Sequence, residues 1–87
     1  MSKAETLMLP DCVDAAASVR LWRELGARAP STIDFGAVRE IDSSGLALVA
    51  ELARRGAGHG SRVALANVPE RFVQLCAAHR IDKELLS

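Results

Sequence analysis

Apolar positions in this chain follow two rhythms, short runs alternating every second residue and longer stretches recurring every third or fourth. Thr6-Leu7-Met8-Leu9 is a short apolar run stopped by Pro10, which predicts a strand. Pro10 to Val13 reads as a loop, and Asp14 is a good N-cap for the alanine-rich stretch behind it. There Ala15, Ala17, Val19, Leu21, Trp22 and Leu25 form a wide apolar face, and Gly26 and Pro30 mark where it ends. Thr32-Ile33-Asp34-Phe35 alternates with period two, a second strand. Residues 36–40 read as a loop, with Ile41 as an apolar anchor. From about Ser43 to Ala57, Leu46, Val49, Leu52, Ala53 and Gly56 recur at helical spacing, and Arg54 and Arg55 suit a helix C-terminus. Arg62 to Ala66 predicts a third strand. Asn67-Val68-Pro69 then opens a helix with proline in its first turn, and its apolar side is Phe72, Val73, Cys76 and Ala77. Residues 81–86 read as a short terminal helix.

Strands alternating with helices at this spacing require crossover connections and a largely parallel sheet. The expected fold is α/β: a small sandwich of about four helices on a mixed, mostly parallel sheet of three to four strands. Its 87 residues are expected to form one domain over 1–87, with helices crowded on one face. Residues 6–9 would then lie at a sheet edge, where a homodimer or an added partner strand could pair.

Composition narrows the function. Nearly half the residues are apolar, fifteen of them alanine, and Phe35, Phe72 and Trp22 are the only aromatic side chains. Eleven basic and eleven acidic residues leave no net charge. Without a basic stripe or stacking aromatics, nucleic-acid binding has little support. Cys12 and Cys76 lie in no CxxC pattern and read as thiols in a reduced compartment. No apolar run reaches the roughly eighteen residues of a bilayer span, so direct membrane insertion is not expected and a cytoplasmic location is.

Enzyme chemistry is poorly supported. Ser43 or Ser44 would need a histidine base within hydrogen-bond reach. His59 falls at the far end of the helix that Ser43 begins, roughly 20 Å away, and His79 near the end of another. Asp34, Glu40 and Asp42 fall on a strand, a loop and a cap. No grouping has metal-ligand spacing, so neither a metal nor a cofactor is expected. The glycines between Gly56 and Gly60 follow a helix, whereas a phosphate-cradling loop precedes one.

The chemistry concentrates at Ile41-Asp42-Ser43-Ser44-Gly45-Leu46, where a strand-like run turns into a helix. Asp42 or Ser43 can cap that helix, worth about 1 kcal/mol. Three small residues and a glycine also leave the helix mouth open. A phosphoryl group on the serine would gain about 0.3–1 kcal/mol from the dipole and accept backbone N–H bonds. Trp22, on the edge of its apolar face, is either core or an interface anchor.

Strand, Asp-Ser-Ser-Gly-Leu, helix, strand, Asn-Val-Pro, helix resembles the STAS domain, named for sulfate transporters and anti-sigma factor antagonists. The resemblance covers roughly residues 6–87 and implies a non-catalytic, partner-binding domain whose regulatory Ser/Thr falls on Ser43. Two branches of the family fit. The antagonist branch implies phosphorylation of Ser43 by a kinase-type anti-sigma factor. That branch usually opens with a full β-hairpin and a Gly-Glu-Leu-Asp-like segment, where this chain has Pro10-Asp11-Cys12-Val13-Asp14 and lacks room for the first strand. Leu21-Trp22 and Gly45-Leu46-Ala47-Leu48 instead look like the small STAS subunit of the Mla phospholipid-transport ABC system. That likeness implies that Asp42, Ser43, Ser44, Gly45 and Trp22 contact an ATPase subunit at the inner face of the inner membrane.

Overall fold

The computed structural model describes residues 5–60 and 62–81. Among these residues, five short strands and three helices follow in order: β1 (Thr6–Met8), β2 (Cys12–Val13), α1 (Ala15–Leu25), β3 (Thr32–Asp34), β4 (Glu40–Ile41), α2 (Ser43–Gly58), β5 (Ala64–Ala66) and α3 (Glu70–Ala78). The strands form two separate ladders, β1-β3-β5 and β2-β4, in which every pairing is parallel. The fold is thus α/β and mostly parallel, as expected. The single sheet of three to four strands is replaced by a three-stranded and a two-stranded piece.

The two-stranded piece is a correction. Residues 10–13 and 36–40 read as loops, yet Cys12 pairs with Glu40 and Val13 with Ile41. Two residues per strand are too few to show period two, so the pattern carried no signal. Two smaller boundaries also differ. Helix α2 ends at Gly58, one residue beyond the expected Ala57. Pro69 stands as the N-cap of α3 instead of inside its first turn. The fourth helix, expected over 81–86, lies outside the described residues apart from Ile81.

Register explains the sheet's one-sidedness. Leu7, Ile33 and Leu65 form one cross-strand row and pack on the core. The flanking rows, Thr6-Thr32-Ala64 and Met8-Asp34-Ala66, are exposed or half-buried. Apolar side chains therefore collect on a single face of the ladder. Strand β1 ladders only with β3 among the described residues, which makes it an edge.

Helix α1 buries Ala17, Ser18, Leu21 and Leu25, four positions along one stripe. Val19 and Ala15, expected in that face, are exposed. Helix α2 buries Leu46, Leu48, Val49 and Leu52 and packs against α1, α3 and β4. In α3 the buried set is Phe72, Leu75 and Cys76, while Val73 and Ala77 face outward. Phe35 and Phe72 stack at 4.7 Å between ring centroids, tilted by 53°, in the middle of the core.

At the sheet's end, Asp34 Oδ1 accepts from Asn67 Nδ2 at 3.0 Å and from the Gly36 N–H at 2.8 Å. Asn67 adopts a left-handed backbone, φ 55°, which asparagine tolerates well. The Asn-Val-Pro segment is thus a turn that ties β5 to β3.

Candidate functional site

Strands β2 and β4 run side by side, and each leads through one aspartate into a helix. Asp14 caps α1, its Oδ1 accepting from the Ala17 N–H at 2.9 Å. Asp42 caps α2, its Oδ1 accepting from the Ser44 N–H at 2.9 Å and the Gly45 N–H at 3.3 Å. Because Val13 pairs with Ile41, the two helix mouths open next to each other. Helices α1 and α2 then pack together along their length.

Of the sequence-selected residues, Asp42 and Ser43 are exposed and Ser44 is half-buried. Ser43 is the first residue of α2. Gly45 is buried, and its role is packing. A Cβ there would lie 2.6 Å from Ile41 Cγ1 and 2.9 Å from Val13 Cγ1. Only glycine lets α2 enter this close to the β2-β4 pair.

Asp42 also alters the phosphoryl chemistry. Two N–H groups that a phosphate on Ser43 would want are already taken by the Asp42 carboxylate. The Leu46 N–H is bonded to the Asp42 carbonyl at 3.1 Å. A phosphoryl group there would sit beside a carboxylate and find few open donors.

Trp22 is 37 % exposed, so it belongs to the surface instead of the core. The Arg55 guanidinium carbon lies 4.1 Å from the centre of its ring. The same guanidinium donates through Nη1 to the Gly26 carbonyl at 2.6 Å and to the Arg28 carbonyl at 3.0 Å. Arg55 therefore clamps the end of α1 to α2 and fixes the indole's position. Sequence reading assigned Arg55 only to the α2 dipole, and nothing in the spacing pairs it with a residue 33 positions earlier.

A shallow groove of about 260 Å³ runs between α1 and α2. Its apolar walls are Val19, Trp22, Ala47 and Leu48, with Ser44 at its α2 side and Arg23 and Glu51 at the rim. Ser44 of the Asp-Ser-Ser-Gly turn and Trp22 thus line the same groove. Val19, which is 50 % exposed, belongs to it and was misassigned to the core.

Other titratable residues lie elsewhere. Asp34 is bonded to Asn67, and its carboxyl is held below the usual carboxylate range by the Asn67 amide and then the Gly36 N–H. Asp14 is held down by the Ala17 N–H. Partial burial, then the Asp14 and Glu40 carboxylates, push the Cys12 thiol up, away from the reactive thiolate. His59 and His79 are exposed C-caps of α2 and α3. Among the described residues, no three His, Cys, Asp or Glu side chains are grouped to hold a metal. No helix among them is long and apolar enough to cross a membrane.

These features define a small α/β domain with a surface groove between its first two helices. A family model described as Mlab, STAS domain matches residues 2–87, and the chain belongs to the STAS domain family, in its MlaB-like group. Domains of this family are generally non-catalytic. No curated protein matches the chain significantly.

Proposed function

We propose that this chain is the non-catalytic STAS subunit of a bacterial phospholipid-transport ABC complex, docking on its nucleotide-binding ATPase and stabilising or regulating it. The observation that carries the reading is the α1–α2 groove, lined by Ser44 of the turn, next to exposed Ser43, and by Trp22. A half-exposed tryptophan beside small residues and apolar walls is the composition of an interface hot spot. The MlaB-like family match supports a transporter ATPase as the partner in this reading.

Mechanistically, the domain contributes no bond chemistry. Contacts from the Asp42–Gly45 turn and from Trp22 would favour one assembled state of the ATPase, which shifts by as much as the domain's affinity differs between states. Co-expression with the ATPase subunit tests this. Wild-type protein is expected to co-purify, and Ser43→Glu and Trp22→Ala are each expected to abolish the complex. Retention of both variants would defeat the reading.

The exposure of Ser43 favours a second reading, an anti-sigma factor antagonist switched by phosphorylation. Incubation with ATP and a kinase-type anti-sigma factor of the source organism distinguishes them. One phosphate gained on Ser43 supports the switch, and an unmodified chain leaves the transporter subunit as the better account.

A further inference from the structure

One buried side-chain polar atom among the described residues has no hydrogen-bond partner. Ser18 is 8 % exposed, and its Oγ is the sole buried side-chain nitrogen or oxygen among the described residues that makes no hydrogen bond. A helical serine can share the carbonyl four residues earlier with its own backbone N–H. Here the Asp14 carbonyl accepts from the Ser18 N–H at 2.9 Å, while the hydroxyl makes no bond to it or to any other group. Ser18 also lines the α1–α2 groove, next to Val19 and Trp22. A buried hydroxyl without a bond costs stability, and alanine would fit the same space on α1. Stability of the free domain therefore gives no reason for serine at this position.

Charge at the groove's Trp22 end is one-sided. The groove and the neighbouring hollow on the other side of Trp22 are lined by Arg23, Arg54 and Arg55 against a single acid, Glu51. Glu51 is ion-paired with Arg54. Arg55 is engaged with the indole and two carbonyls. Arg23 lines the groove, is exposed and makes no ion pair among the described residues.

We propose that the α1–α2 groove receives an amphipathic segment of the partner in which three features coincide. An aliphatic side chain fills the space between Val19, Trp22 and Leu48. A hydrogen-bonding side chain beside it reaches Ser18 Oγ, which turns about its Cα–Cβ bond to meet it. An acidic residue faces Arg23. Ser18 is then a specificity residue, costly in the free domain and satisfied only in the complex. This rests on the subunit reading above, with the ATPase as the partner that supplies the segment.

The proposal predicts opposite signs for one substitution. Ser18→Ala is expected to raise the thermal midpoint of the free domain by about 4 °C. The same change is expected to weaken the ATPase complex about five-fold in calorimetric titration. Arg23→Glu is expected to weaken it about ten-fold and to flatten its salt dependence, since the lost pair is rim-exposed. Ser18→Ala that destabilises the free domain, or binds as tightly as wild type, overturns the proposal while wild-type binding keeps the subunit reading intact. Unchanged affinity in Arg23→Glu overturns the acidic partner residue. Failure of wild-type protein to bind the ATPase at all removes the subunit reading and this proposal with it. Sedimentation should find the free domain monomeric, and a dimer dispersed by Ser18→Ala would give the groove to a second copy instead.

Discussion

Asp42 and Ser43 stand next to each other in sequence and do different things. Asp42 turns inward along the helix axis to bond two N–H groups, while Ser43 projects from the first turn of α2. Capping and recognition are thus divided between neighbours, so Ser43 is not needed to hold the helix. Asp14 and Asp34 are capping and turn carboxylates whose folded pKa values lie below the usual one. A depressed folded pKa stabilises the fold above the unfolded value, about 3.9. That contribution is lost as pH falls through the lower folded value. The urea midpoint should therefore decline from about pH 4 downward. Asp34→Asn should lower the midpoint at pH 7 and make the acid decline shallower; an unchanged profile would mean that the Asn67 bond does not form in solution.

At the scale of elements, the β2-β4 pair governs how the two functional helices enter. Each strand contributes two residues and one buried side chain, Val13 or Ile41, and each is followed by a capping aspartate. Gly45 sets the distance between α2 and this pair. In an open helix, glycine-to-alanine gains about 1 kcal/mol. Here the added methyl meets Ile41 and Val13 inside van der Waals contact. Gly45→Ala is expected to cost about 1–3 kcal/mol in urea unfolding, as overpacking does. Stabilisation by that change would show that the helix mouth is looser than its geometry. Arg55 performs the matching task at the opposite end, holding α2 to the residues just beyond α1.

For the whole molecule, the decisive quantity is a small core. One cluster unites Leu9, Val13, Leu25, Ile33, Phe35, Val49, Leu52, Phe72 and their neighbours, drawn from every layer. A domain of this length has about 4–13 kcal/mol of stability. Phe72 is fully buried and shares its ring contact with Phe35. Truncation of such a ring costs about 3–5 kcal/mol, so Phe72→Ala is expected to be largely unfolded or to melt far below wild type. Circular dichroism melts would decide, and a near-native midpoint would mean that the Phe35–Phe72 contact is dispensable. Trp22→Ala, by contrast, removes a surface ring and should leave a folded domain, which separates loss of binding from loss of fold.

Periodicity alone placed α1, α2, β1 and β3 within a residue or two, because each carries an apolar pattern longer than its ambiguity. The Asp-Ser-Ser-Gly turn was legible for a similar reason: strand, cap and helix follow one another without a gap, so local chemistry determines Ser43's place at the helix start. Strands β2 and β4 were not legible, since two residues contain no period and their pairing joins positions 28 apart. Packing decided the rest. Whether Trp22 faced core or solvent depended on Arg55 and the approach of α2. Gly45's purpose depended on side chains from two other strands. Ser18 gained meaning only when the helix beside it formed a groove. Such properties belong to contacts between distant segments, and a linear pattern records each residue's own preference without recording its neighbours.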